Sequence, residues 1–246
     1  MRAVRPAAVA GLLLMLLLVG SPGCGAGRLP VWPMMSPQQS LETLNARARK
    51  ITTVSGQGKL RLTRGRNESV ILEAACALKP PDSARIRAWK FGRAVFDLTV
   101  LPDAVYLAAA KQSPGPTDTA FTGRGAADMI RSWLAITCDR LQPQVLQQTG
   151  DTLVAIQPWS DGSTLRCTID RRTLTVRMYQ VLDDEGHEQF CLLLDRYVVS
   201  NGQVWPARMI ARSTSGTLRL ELGDVQINGE LGPGAFQPPA RAEKLP

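Results

Sequence analysis

Stretches in which apolar and polar residues alternate recur from Val54 to Asn228, and this period of two constrains the fold more than any other feature. Alternation puts one set of side chains on a buried sheet face and the next set in solvent. In the first stretch Leu60 and Leu62 stand against Lys59 and Arg61. Further strands are predicted near 69–78, 84–91, 94–101 and 104–109, then near 152–158, 163–169, 173–181, 189–200, 203–212 and 216–228. Gly, Asn, Pro and Asp turn signals separate them. Leu174, Val176 and Met178 alternate with Thr175, Arg177 and Tyr179, and Leu218, Leu220 and Leu222 with Arg219 and Glu221.

Two helices are predicted. Ser36-Pro37-Gln38-Gln39 offers an N-cap serine, a proline at the first helical position and a glutamine three residues on. Leu41, Leu44, Ala48 and Ile51 then recur at helical spacing, with Glu42, Asn45, Arg47 and Lys50 mostly on the other side. After a Pro-, Gly- and Thr-rich loop over 113–124, residues 125–136 place Met129, Trp133 and Ile136 at helical spacing. The expected fold is therefore mainly β with a few helices. About eleven antiparallel strands are too wide for a flat twisted sheet, so they should curl into an incomplete barrel. The second helix should cover its concave face as a lid.

The amino terminus reads as an export signal. Arg2 and Arg5 precede the uncharged run Ala7 to Gly20, and the small residues Ser21, Pro22 and Gly23 lead to Cys24. The apolar run is short of the roughly 20 residues that cross a bilayer. Cys24 with Gly23 before it resembles the lipobox of bacterial lipoproteins, in which the thiol receives diacylglycerol and the new amino terminus is acylated. A single acyl chain binds membranes marginally, so stable anchoring needs several. Cleavage near Ala26, leaving a soluble periplasmic protein, is the alternative. Residues 1–23 are thus assigned to a signal peptide, 24–35 to the lipidated cysteine and a tether, 36–240 to one folded domain and 241–246 to a tail. Gly25 after the cysteine points to outer-membrane delivery.

Several function classes find no support in the residues. Removing Arg2 and Arg5 from the 29 basic residues leaves 27 against 21 acidic, a mild excess of +6. The arginines are scattered along strands, so nucleic-acid binding is not expected. His187, the only histidine, lies in the polar hairpin tip Asp183–Glu188, where a solvated role fits better than a triad. No Cys/His spacing suits a metal, and Gly56-Gln57-Gly58 is followed by a strand, unlike a phosphate loop. Asp183-Asp184 reads as a turn. Neither an enzyme nor a cofactor is called for. Cys76, Cys138, Cys167 and Cys191 are read as buried free thiols. Cys167 and Cys191 should sit two strands apart, at about 9–10 Å, beyond the ~7 Å a disulfide spans.

The order of these parts resembles the LolA/LolB family, the periplasmic carrier and outer-membrane acceptor of lipoproteins. The resemblance runs from Leu41 to Pro239. It rests on the helix before the first strand, ITTVSGQGKLRL, SARIRAWKFGRAVFDLTVLPDAVYLAAA, the intervening helix, and the closing VQINGELGPGAFQPPA. It implies an incomplete barrel and a helical lid enclosing an acyl-chain cavity. With a candidate lipidated cysteine, the chain resembles the anchored acceptor more than the soluble carrier, which would then be its periplasmic partner. In the acceptor an apolar residue before a glycine protrudes from the turn between the third and fourth strands and contacts membrane. Phe91-Gly92 stands at the matching place, flanked by Lys90 and Arg93. A phenylalanine packed into the core is the alternative at this position. Candidate cavity residues are Leu60, Leu62, Phe96, Leu98, Leu174, Val176, Leu218 and Leu220, with Met129 and Trp133 from the lid. The implied function is capture of acyl chains from lipids or lipoproteins and delivery to a membrane, by partitioning and without covalent chemistry. A structural or adaptor lipoprotein using the same fold as a scaffold is the alternative.

Overall fold

A computed structural model describes residues 28–64, 68–109, 141–159, 162–214 and 216–245. Cys24, Met129, Trp133, Cys138 and the expected lid helix lie outside the described residues. Among the described residues one helix, α1 (Pro37–Ala48), precedes thirteen strands. In chain order these are β1 (Val54–Arg64), β2 (Glu68–Lys79), β3 (Ser83–Lys90), β4 (Arg93–Val100), β5 (Val105–Ala109), β6 (Val145–Thr149), β7 (Thr152–Pro158), β8 (Thr164–Asp170), β9 (Thr175–Leu182), β10 (Glu188–Ser200), β11 (Gln203–Ser213), β12 (Gly216–Ile227) and β13 (Glu243–Leu245).

All thirteen form one antiparallel sheet in the order β13-β5-β4-β3-β2-β1-β12-β11-β10-β9-β8-β7-β6. It is not closed: β13 and β6 are its two ends. A single hydrophobic cluster nonetheless joins Phe96 and Leu107 near one end to Leu153 and Leu165 near the other. A flat sheet of this width would span about 60 Å at the usual strand spacing, so one shared core requires the sheet to curl.

The sequence leaves out two of these strands. β6 (VLQQT) is almost wholly exposed and carries no apolar alternation to reveal it. β13 has three residues, within the segment read as a tail, and pairs with β5 through Glu243↔Leu107 and Leu245↔Val105.

α1 begins as its residues dictate. The Ser36 hydroxyl accepts from the Gln39 N–H, and the Gln39 side chain accepts from the Ser36 N–H. Leu41, Ala48 and Ile51 are buried, and Leu44 packs against the same cluster. Asn45 and Arg47, expected on the solvent side, turn inward instead. The Asn45 amide exchanges two hydrogen bonds with the backbone of Leu141, and Arg47 donates to the carbonyls of Thr173 and Leu174. Both partners are backbone groups distant in sequence, which helical periodicity cannot register.

In β1 a register shift at Gln57/Gly58 lets the strand approach β12 closely. A Cβ on Gly56 would stand 2.8 Å from the Asp224 carbonyl, and one on Gly58 would run into that of Glu221. β9 holds a second irregularity. Its pairing with β8 shifts between Thr168 and Ile169, so the inward face passes from Val176 to Tyr179, and Met178 is only partly buried. The simple alternation of Leu174, Val176 and Met178 is corrected accordingly. Leu174 lies in the β8–β9 turn at φ 48°.

The C-terminal segment passes along the outside of the sheet. Asn228 bonds Thr52, Thr53 and Lys50. Arg85 donates to the carbonyls of Gly234 and Ala235 while pairing with Asp97 at 2.7 Å. This cover explains why β4 is buried on both faces from Phe96 to Val100.

Candidate functional site

The turn between β3 and β4 is built from Lys90, Phe91, Gly92 and Arg93. Lys90 pairs with Arg93, leaving a two-residue hairpin loop. Both loop residues have positive φ, 51° at Phe91 and 73° at Gly92, the backbone of a type I′ turn. The β10–β11 hairpin uses the same backbone with Asn201 at 50° and Gly202 at 72°. Asn-Gly is the low-cost pair for this turn. A bulky side chain at positive φ is an outlier costing roughly 1–2 kcal/mol.

Phe91 is also 92% exposed, so no packing offsets that cost. The Lys90 ammonium lies 5.6 Å from its ring centroid, and Arg93 is exposed beside it. A half-open hollow of about 340 Å³ lies at the base of the hairpin, lined by Arg87, Ala88, Trp89, Gly92, Ala94, Phe96 and Asp97. The turn thus offers an apolar ring between two cations to whatever lies beyond the end of the sheet.

The concave face is lined by buried apolar side chains. Leu194, Met209, Leu220, Leu60 and Leu72 form one cross-strand row, each at most 3% exposed. Among the candidate cavity residues, Leu60, Leu62, Phe96, Leu98, Val176 and Leu220 belong to the common core, and Leu218 packs against it. Leu174 is fully buried. Leu174 and Val176 border a crevice on the α1 side, a half-open space of about 40 Å³ shared with Arg47, Tyr197, Gln203 and the apolar faces of α1 and β11.

Arg47 is a member of this crevice that helical periodicity assigns to the solvent side. Its ring neighbour is Trp32, whose centroid is 5.7 Å from the guanidinium carbon. The Trp32 backbone N–H donates to the Arg172 carbonyl, and Arg171 bonds the Met35 carbonyl, so the chain ahead of α1 is fastened to the β8–β9 turn. Burial holds the Arg47 pKa below its usual value. No signal in the sequence marks the site, because its partners are carbonyls of a turn.

Other candidates for chemistry are committed to structure. Asp183, Glu185 and His187 have ligand atoms within 4.8 Å of one another at the exposed β9–β10 tip. There the Asp183 carboxylate accepts from the N–H groups of Glu185 and His187 and from Gln189, which makes it the acceptor that shapes the turn. Cys76, Cys167 and Cys191 are buried free thiols. Cys167 pairs with Tyr179 on β9, and Cys191 with Gln180 on the same strand, so the two are separated by β9 as expected. Burial pushes Cys76 up to about 12 and also raises Cys167, which suppresses thiolate reactivity.

Comparison with known proteins supports the fold assignment. No family model and no curated protein matches the sequence. Among solved structures, a LolA superfamily protein from Nitrosomonas europaea is similar at a TM-score of 0.55 and 11% identity, over 83% of this chain and 98% of that one. A DUF1329 family protein from Desulfovibrio piger gives 0.57 and 11%, over 82% and 98%. A domain described as outer membrane lipoprotein-sorting, from Vibrio parahaemolyticus, gives 0.56 and 12%, over 82% and 97%. The chain therefore has the LolA-type fold across most of its length.

Proposed function

We propose that this chain is an envelope lipoprotein, anchored through Cys24, that takes up acyl chains of lipids or lipoproteins against its concave face and hands them to a membrane met by Phe91. One observation carries the reading: a fully displayed phenylalanine occupies a turn position where asparagine fits at lower cost, between two cations. An exposed aromatic with adjoining positive charge suits the lipid interface, where the ring enters the acyl boundary and the cations meet phosphates. The LolA-type fold, which also occurs in a domain described as lipoprotein-sorting, is consistent with this role. Transfer would run on apolar area removed from water, at about 0.8 kcal/mol per methylene, and the bilayer would be the final sink.

The buried row from Leu194 to Leu72 also fits a second reading. An adaptor that uses the sheet as a scaffold would bury the same residues in a filled core. Two measurements on the purified protein separate the readings: extraction of bound acyl chains, and transfer of a fluorescent acyl probe to phospholipid vesicles. The transport reading expects bound or bindable chains and slower transfer by Phe91→Glu with folding intact. A protein that neither carries nor binds an acyl chain refutes it and leaves the adaptor.

A further inference from the structure

At the β8–β9 end of the molecule, Arg171 and Arg47 form no ion pair among the described residues. Arg171 is buried at 4% exposure and, among the described residues, bonds the carbonyls of Gly150 and Met35, with its Nε left unpartnered. Arg47 is half-buried and spends one terminal nitrogen on the carbonyls of Thr173 and Leu174. Among the described residues it has no ion-pair partner. The neighbouring acid, Asp170, is engaged by Arg177 at 2.7 Å and by the Thr173 N–H and hydroxyl. Beside Arg47, the Trp32 indole N–H is buried without an acceptor. Buried charges are ordinarily paired, and the partial negative charge at the end of α1 offsets only part of this excess.

Arg47 also borders a space. The crevice of about 40 Å³ between α1 and β11 is lined by the polar side chains of Arg47, Thr175, Tyr197 and Gln203 and by apolar residues including Leu44, Ile51, Val176 and Pro206. A buried water needs roughly 10–15 Å³ of such space, so the crevice admits a group of a few heavy atoms. The Nε and second terminal nitrogen of Arg47 keep their N–H groups free of protein partners among the described residues. A guanidinium presents them as a planar fork that matches a carboxylate.

We propose that this crevice is a subsite for the carboxylate of a fatty acid, with Arg47 as its counter-ion and the apolar wall of α1 and β11 receiving the first methylenes. The inference rests on the acyl-binding reading and narrows it: the preferred ligand ends in a free carboxylate, unlike an esterified lipid. Titration calorimetry with dodecanoate and with methyl dodecanoate tests it on the unaltered protein. The acid is expected to bind at least tenfold more tightly than the ester. Arg47→Gln should bring the two affinities together, and Arg47→Lys should restore part of the difference. Equal binding of acid and ester to the unaltered protein overturns the subsite and leaves acyl binding standing, as does an acid preference that survives Arg47→Gln in a folded variant. Binding of neither compound overturns both.

Discussion

Replacing Phe91 by asparagine should move stability and membrane affinity in opposite directions. Phe91 at φ 51° bears roughly 1–2 kcal/mol of backbone cost, and at 92% exposure it recovers little by packing. Asparagine tolerates this conformation, and Asn201 already occupies the equivalent place in the β10–β11 turn. Phe91→Asn should therefore stabilise the fold by about 1 kcal/mol, or roughly 2–4 °C in Tm for a chain of this size. Burying a phenylalanine side chain is worth about 1.5–3 kcal/mol, so its loss should weaken vesicle partitioning by roughly ten- to a hundredfold, at 1.4 kcal/mol per tenfold. Lys90 and Arg93 keep their electrostatic attraction in the variant. The assay is co-sedimentation with phospholipid vesicles, both proteins carrying Cys24→Ser so that an anchor does not mask the turn, beside calorimetric melting. Unchanged partitioning would remove Phe91 from membrane contact. A lower Tm would refute the reasoning about backbone cost.

Two further outcomes test the scaffold. Gly58→Ala should cost about 3 kcal/mol or more, the upper range for overpacking, because its methyl group meets the Glu221 carbonyl and β1 is held between β2 and β12; wild-type melting of this variant would refute the close approach. At Asp170, burial disfavours the charge, yet hydrogen bonds from Arg177 and Thr173 outweigh it and hold the carboxyl below its usual range. A depressed folded value means stability present above the unfolded pKa and lost as pH falls through the folded one. Urea unfolding should accordingly show Asp170→Asn less stable than wild type at pH 7, with the gap closing below about pH 4; a gap independent of pH would count against the pairing.

Much of the architecture was legible in the residues. Ser36 and Gln39 specified the start of α1, and period-two alternation located eleven of the thirteen strands, because half-buried strands must alternate. β6 and β13 escaped notice since an exposed edge needs no apolar face and three residues make no period. The Phe91 turn could be located but not evaluated. A phenylalanine at a strand end reads equally as core or protrusion until the backbone places it at positive φ with nothing packed on it.

The sequence by itself determined the local terms: where strands alternate, where a helix is capped, and which thiols lie on separate strands. Tertiary structure alone decided what depends on closure of the chain over long separations. Arg47 faces the β8–β9 turn 126 residues away, and Arg85 meets a C-terminal carbonyl 149 residues on. The curl of the sheet buries the row from Leu60 to Leu194. A side chain's own period fixes which face it occupies, but the neighbour across that face is set by how distant strands register, and charge balance and cavity volume follow from that neighbour.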